Sequence, residues 1–143
     1  MVSFGVMLTR LRAPIGYFFM VYVGWFTLDT IRELVITPAV GLTAALFVEM
    51  VLLVIISFFS ARFVLDRSPE ARTPSDRLFV GCTAFILLLI AEETMQRILR
   101  GISVFTLWVD FSPIAALANI ASLGLFIVMP WIIGIKLDPI RPG

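Results

Sequence analysis

The chain has 143 residues, 60% of them hydrophobic and 15% charged, with a formal net charge of +1 and a mean hydropathy of +1.05. Soluble domains carry roughly 45–50% apolar and about 25% charged residues, so the excess points to a membrane protein rather than a large soluble core. The near-neutral balance, without a long basic run, speaks against a nucleic-acid partner. The single Cys82 excludes an intrachain disulfide, and the lack of histidine removes the commonest haem ligand, general base and zinc donor together.

The first twelve residues, MVSFGVMLTRLR, place Phe4, Met7, Leu8 and Leu11 at helical spacing, with Arg10 and Arg12 behind them. This predicts a short amphipathic segment on the membrane surface. No small-residue cleavage site follows, so it does not read as a cleaved signal. Helix 1 is then expected over about 14–36, opening on Pro14, a favoured first-turn residue. Its aromatic stretch, Tyr17 to Phe26, is expected to face lipid or pack. Asp29, Arg32 and Glu33 share one face at its far end, and Thr37-Pro38 is expected to break the helix.

Helix 2, expected over about 40–65, is apolar apart from Glu49, Ser57, Ser60 and Arg62. It exceeds the ~20 residues needed to span a ~30 Å hydrocarbon layer. The hydrophilic loop DRSPEARTPSDR ends in Thr73-Pro74-Ser75-Asp76, which reads as an N-cap hydroxyl, a proline at N1 and an acid at N3. Helix 3 follows over about 75–100 and runs through Ala91-Glu92-Glu93 to Arg97 and Arg100, with Cys82 expected as a small core residue. Residues 101–110 form an amphiphilic connection in which Trp108 suits an interface anchor. Helix 4 is expected over about 113–135, kinked at Pro130, with Ala115, Ala118 and Ser122 as a small-residue stripe suited to close packing. A polar tail begins at Lys136. The expected fold is therefore all-α: a single integral-membrane four-helix bundle.

Basic residues outside the spans are unevenly shared. Arg10, Arg12, Arg62, Arg67, Arg72, Arg77, Lys136 and Arg141 fall on one side, while Arg97 and Arg100, with Arg32 nearby, fall on the other. The positive-inside rule then puts both termini and the 66–77 loop in the cytoplasm.

With that topology and ~1.5 Å of rise per residue, Glu49 comes close to mid-bilayer and Glu92, Glu93, Arg32 and Asn119 to the outer half, so four helices direct polar groups into one outer layer. Charges inside membrane spans face the bundle interior and pair with one another. The simplest arrangement has Arg32 clasped by Glu49 and Glu92 through its planar fork. Glu93 is expected to pair with Arg97 at i,i+4, while Asp29 and Glu33 lie near enough to water to need no partner. This cluster would either hold the bundle together or, with a carboxyl left over beside an arginine, bind a cation or pass a proton.

Other chemistries lack their residues. Glu92-Glu93 has no His-Glu-x-x-His context, and there is no Gly-x-Ser-x-Gly elbow and no second cysteine for a redox pair. Asp29 and Asp110 do not form an intramembrane aspartyl-protease pair. No catalytic residue, cofactor site or metal site is expected.

Gly24 with Thr30-Ile31-Arg32, Pro38, Glu49, Ala91-Glu92 and Met129-Pro130 together resemble an uncharacterised family of small four-helix inner-membrane proteins of proteobacteria. The resemblance implies the four-helix fold, a bacterial inner-membrane location and the Arg32–Glu49–Glu92 triad; it implies no activity. Glu93, Arg97 and Asp29 depart from that pattern. The functional expectation is a non-enzymatic accessory or scaffold subunit of a larger membrane complex. The alternative is a small homo-oligomeric transporter or a proton- or cation-coupled binder. In both, the lipid bilayer is the surrounding partner.

Overall fold

Every element among the described residues of the computed structural model (4–69, 71–110 and 112–137) is helical. α1 spans Phe4–Ile31 and passes directly into a π-helical turn, Arg32–Ile36, and then α2, Thr37–Val40. α3 covers Leu42–Asp66, α4 Pro74–Arg100, α5 Val104–Val109 and α6 Pro113–Leu137. Four stretches are long and apolar enough to cross a membrane: Phe4–Val40, Leu42–Asp66, Pro74–Arg100 and Pro113–Gly134.

The first stretch departs from expectation at both ends. Pro14 lies inside α1 rather than at its start, so Phe4 to Arg12 extend the helix instead of forming a separate surface segment. Met1–Ser3 lie outside the described residues. A proline within a helix costs a hydrogen bond, but Pro14 and Ala13 are buried against the bundle, and that packing holds the helix through it. Pro38 does not break the chain either. The N–H of Thr37 reaches back to the carbonyl of Arg32, a π-type bond that widens the turn directly before the proline ring. The break comes at Gly41, whose φ of +88° is open to glycine and strained for other residues.

α4 begins where its sequence indicates. Thr73 Oγ1 accepts from the Asp76 N–H at 3.1 Å, and Asp76 Oδ2 accepts from the Thr73 N–H at 3.3 Å, completing a capping box. It ends at Gly101, in the left-handed region at φ +68°. The expected tail from Lys136 is partly replaced by α6, which continues to Leu137; Arg141 and the tail prolines lie outside the described residues.

α1 packs against α3 and α4, and α6 packs against the same two helices, so α1 and α6 face each other across the centre. The loop 67–73 joins the other diagonal pair and buries Ser68 and Ala71 over that end. The apolar core also lies at that end. Ala13, Tyr17 and Val21 meet Ala61 and Val64 of α3, Val80 and Ala84 of α4, and Phe126, Met129 and Ile133 of α6. Two glycines permit close approach here: a Cβ at Gly81 would overlap the Ile127 carbonyl, and one at Gly134 would overlap the Arg77 side chain. Phe19, Ile55, Phe59, Ile86, Ile90 and Leu117 point outward from the bundle. Cys82 is exposed with them rather than in the core; a small thiol on an apolar outer face leaves no buried space unfilled.

Candidate polar cavity

At the end of the bundle away from the core, the π turn brings Arg32 inward. Its Nε lies 2.5 Å from Glu49 Oε2, and its Nη2 pairs with Asp29 on the preceding turn. The Arg32 and Glu49 side chains are only 12% and 8% exposed, so this is a largely desolvated charge pair. The Nε–H finds no well-aligned acceptor, so the Glu49 contact is held by charge and proximity rather than by a straight hydrogen bond.

Two expectations need correction. Asp29 and Glu33 are not left to water. Asp29 takes one edge of the Arg32 guanidinium, because residues three apart on a helix meet with little loss of side-chain freedom. Glu33 pairs with Arg100, tying the π turn to the end of α4. Consequently Arg32 does not clasp Glu92. Its Nη2 and Nε face Asp29 and Glu49, and Glu92 has no ion-pair or hydrogen-bond partner among the described residues. The charged neighbours of Glu92 include the acidic Asp29, Glu49 and Glu93.

Glu93 and Arg97 lie outside this cluster. Arg97 Nε donates to Glu93 Oε1 at 2.5 Å. The other carboxylate oxygen accepts from the Ser103 hydroxyl at 3.0 Å and the Val104 N–H at 2.9 Å. Ser103 Oγ in turn caps α5 by accepting from the Phe105 N–H. Glu93 therefore anchors α5, a helix that the connecting segment 101–110 did not reveal. With one helical turn folded back, Trp108 is brought to the bundle's polar end, half-buried and edge-on to Phe105 at 5.4 Å.

Beneath α5 lies a cavity of about 310 Å³. Arg32, Glu49, Glu92 and Asn119 all line it; Glu93 and Arg97 do not. Glu33, Arg100, Trp108 and Asp110 form its more exposed rim, and Leu46, Leu53 and Leu88 its apolar floor. Leu88, Glu92, Gln96 and Arg100 line it from a single stripe of α4 at four-residue spacing. Gln96, Trp25 and Asp110 were missed from sequence. The first stands one turn beyond Glu92, and that spacing was a usable signal. Trp25 and Asp110 carried none, since their roles depend on how α1 and α5 pack. Gln96 is 8% exposed, and its side-chain carbonyl has no donor among the described residues.

The lining holds five carboxylates (Asp29, Glu33, Glu49, Glu92 and Asp110) against two arginines. Both arginines are engaged, Arg32 by Asp29 and Glu49, and Arg100 by Glu33. Among the described residues, no group of three or more His, Cys, Asp or Glu side chains is disposed to hold a metal ion. The geometry suits reversible binding of a small molecule between an apolar floor and a polar rim. By length and composition, the four apolar helices mark the class as multi-pass helical membrane proteins. No family model, curated protein or solved structure matches the chain.

Proposed function

We propose that the chain is a multi-pass protein of a bacterial inner membrane, with both termini cytoplasmic, and that its cavity binds a small molecule entering from the opposite face. The basic-residue asymmetry supports the orientation, and the sequence resemblance supports the location. One observation carries the binding role: a roughly 310 Å³ cavity into which four helices and α5 converge polar groups, one of them, Glu92, unpartnered. A polar cluster whose sole task was to hold the bundle would have its charges paired and its volume filled. Four helices are few for a monomeric transporter, so transport requires a second copy; binding does not.

The test uses thiol labelling in a Cys82→Ser background. Asn119→Cys, inside the cavity, is expected to react with a membrane-impermeant reagent added to intact spheroplasts. Ser75→Cys, exposed at the other end of the bundle, is expected to react only after lysis. The reverse pattern would overturn the orientation, and a silent Asn119→Cys in both preparations would overturn the accessible cavity.

A second reading, an accessory subunit in a larger complex, is favoured by α6, where Ala121 and Gly124 leave a shallow outward face suited to another helix. Purification in mild detergent tests it. A co-purifying protein in fixed ratio supports it, and a monodisperse single chain counts against it.

A further inference from the structure

Resting on the cavity reading above, we infer that the ligand class is a small organic cation: an ammonium or amidinium head on a short apolar body. The inference comes from which hydrogen-bonding capacity the protein leaves unused. Each arginine in the cavity is already paired with a carboxylate, Arg32 through Nη2 and Nε with Asp29 and Glu49, and Arg100 through Nη2 with Glu33. What remains unpaired is negative charge and one buried acceptor. Glu92 presents a carboxylate with no ion-pair partner, Asp110 adds a second at the rim, and the buried Gln96 carbonyl has no donor.

Glu92 and Gln96 are four residues apart on α4 and therefore on one face, so two acceptors are offered to a single head group. A ligand with several N–H donors and a positive charge satisfies both. An anion would meet the same acceptors and a surplus of three carboxylates over arginines in the lining.

The rest of the lining agrees in shape and chemistry. Trp25 and Trp108 contribute aromatic rings, and aromatic faces attract ammonium and guanidinium groups, more strongly where water is excluded. Leu46, Leu53 and Leu88 beneath them provide an apolar floor of a size for a short hydrocarbon chain. Cavities near 300 Å³ lie at the small end of ligand sites, which favours a head group with few carbons over a lipid with two acyl chains.

Three probes of equal chain length separate the possibilities: n-butylammonium, n-butanol and n-butyrate, titrated against the full-length protein in detergent. Binding is read by tryptophan fluorescence and by saturation-transfer NMR of the probe. Butylammonium is expected to bind at least tenfold more tightly than butanol, and butyrate not measurably. Glu92→Gln is expected to remove that tenfold preference, read as the ratio of the two affinities in the same detergent for variant and wild type, so the comparison does not depend on partition into the micelle. Arg97→Gln, outside the cavity, is expected to change neither. Butyrate binding better than butylammonium would overturn the cation assignment while leaving a ligand-binding cavity. Equal binding of butylammonium and butanol, or an unaltered preference in Glu92→Gln, would overturn it too. Silence of all three probes would overturn both the assignment and the binding role.

Discussion

The hydroxyl of Tyr17 donates to the backbone carbonyl of Phe126 at 2.6 Å, across the bundle from α1 to α6. That carbonyl is the one Pro130, four residues on, cannot serve, because proline has no N–H. The two rings also stack, with centroids 4.7 Å apart and planes 14° from parallel. Phe126 and Pro130 are fully buried, so the freed carbonyl has no water to turn to, and a phenol from the helix diagonally opposite takes the place of the missing N–H. Tyr17→Phe keeps the stacking and removes the donor. It should cost about 1–2 kcal/mol of stability, measured by unfolding in mixed micelles. Adding Pro130→Ala, which restores an N–H within α6, should recover most of that loss. A Tyr17→Phe protein as stable as wild type would show that the carbonyl needs no partner.

The close approach of α4 to α6 at Gly81 yields a prediction that contrasts two glycines. At Gly81 a methyl group would overlap the Ile127 carbonyl, a backbone atom that cannot rotate away. Gly81→Ala should therefore part α4 from α6 and destabilise by at least the ~1–3 kcal/mol typical of overpacking. At Gly124 nothing lies within 4 Å of an added Cβ, so Gly124→Ala should be neutral or gain up to ~1 kcal/mol from helix propensity. Compared by thermal unfolding in one detergent, Gly81→Ala should melt below wild type and Gly124→Ala no lower than it.

These contacts also explain which features could be read in the sequence. The four long apolar helices followed from hydropathy, because ~20 apolar residues in a row have few soluble uses. The start of α4 followed from Thr73-Pro74-Ser75-Asp76, because capping is decided by residues three apart. Arg32 and Glu49 came together as expected, since each is a charge in a span and both lie at one end. The failures are of another kind. Pro14 and Pro38 read as a start and a stop, yet burial at one and a π turn at the other carry the helix through. Glu92 was given to Arg32 because sequence distance does not reveal that Asp29 reaches that guanidinium from the preceding turn. Tyr17 and Phe126 are 109 residues apart, and no local pattern links them.

The Arg32–Glu49 pair predicts a non-additive double variant. Arg32→Ala leaves the buried Glu49 carboxylate without its counter-ion, and losses on breaking such a pair run to about 3–5 kcal/mol. Arg32→Leu with Glu49→Leu removes both charges and substitutes apolar bulk, and it should be less destabilised than Arg32→Ala alone. Asp29 stays behind in the double variant, but its side chain is 21% exposed and lies nearer water. Equal losses in the two proteins, measured by unfolding in mixed micelles, would argue against pairing.

Glu93 offers a way to disturb the cavity without touching its lining. It lies outside the cavity, yet it holds the Ser103 hydroxyl and the Val104 N–H, and so fixes α5 where Leu107 and Trp108 line the cavity. A helix of six residues is too short to persist in isolation, so its order depends on this anchor and on packing. In Glu93→Ala the Val104 amide should exchange with solvent at least tenfold faster, read by hydrogen–deuterium exchange of the α5 peptide. The butylammonium-induced change in tryptophan fluorescence should shrink with it, because Trp108 is no longer held in place. Arg97→Ala removes the exposed partner of the same carboxylate, a pair of the kind that contributes no more than about 1 kcal/mol, and it should leave both readings near wild type. If Glu93→Ala exchanged no faster at Val104, α5 would be held by its apolar face alone, and the cavity would keep its shape without the carboxylate.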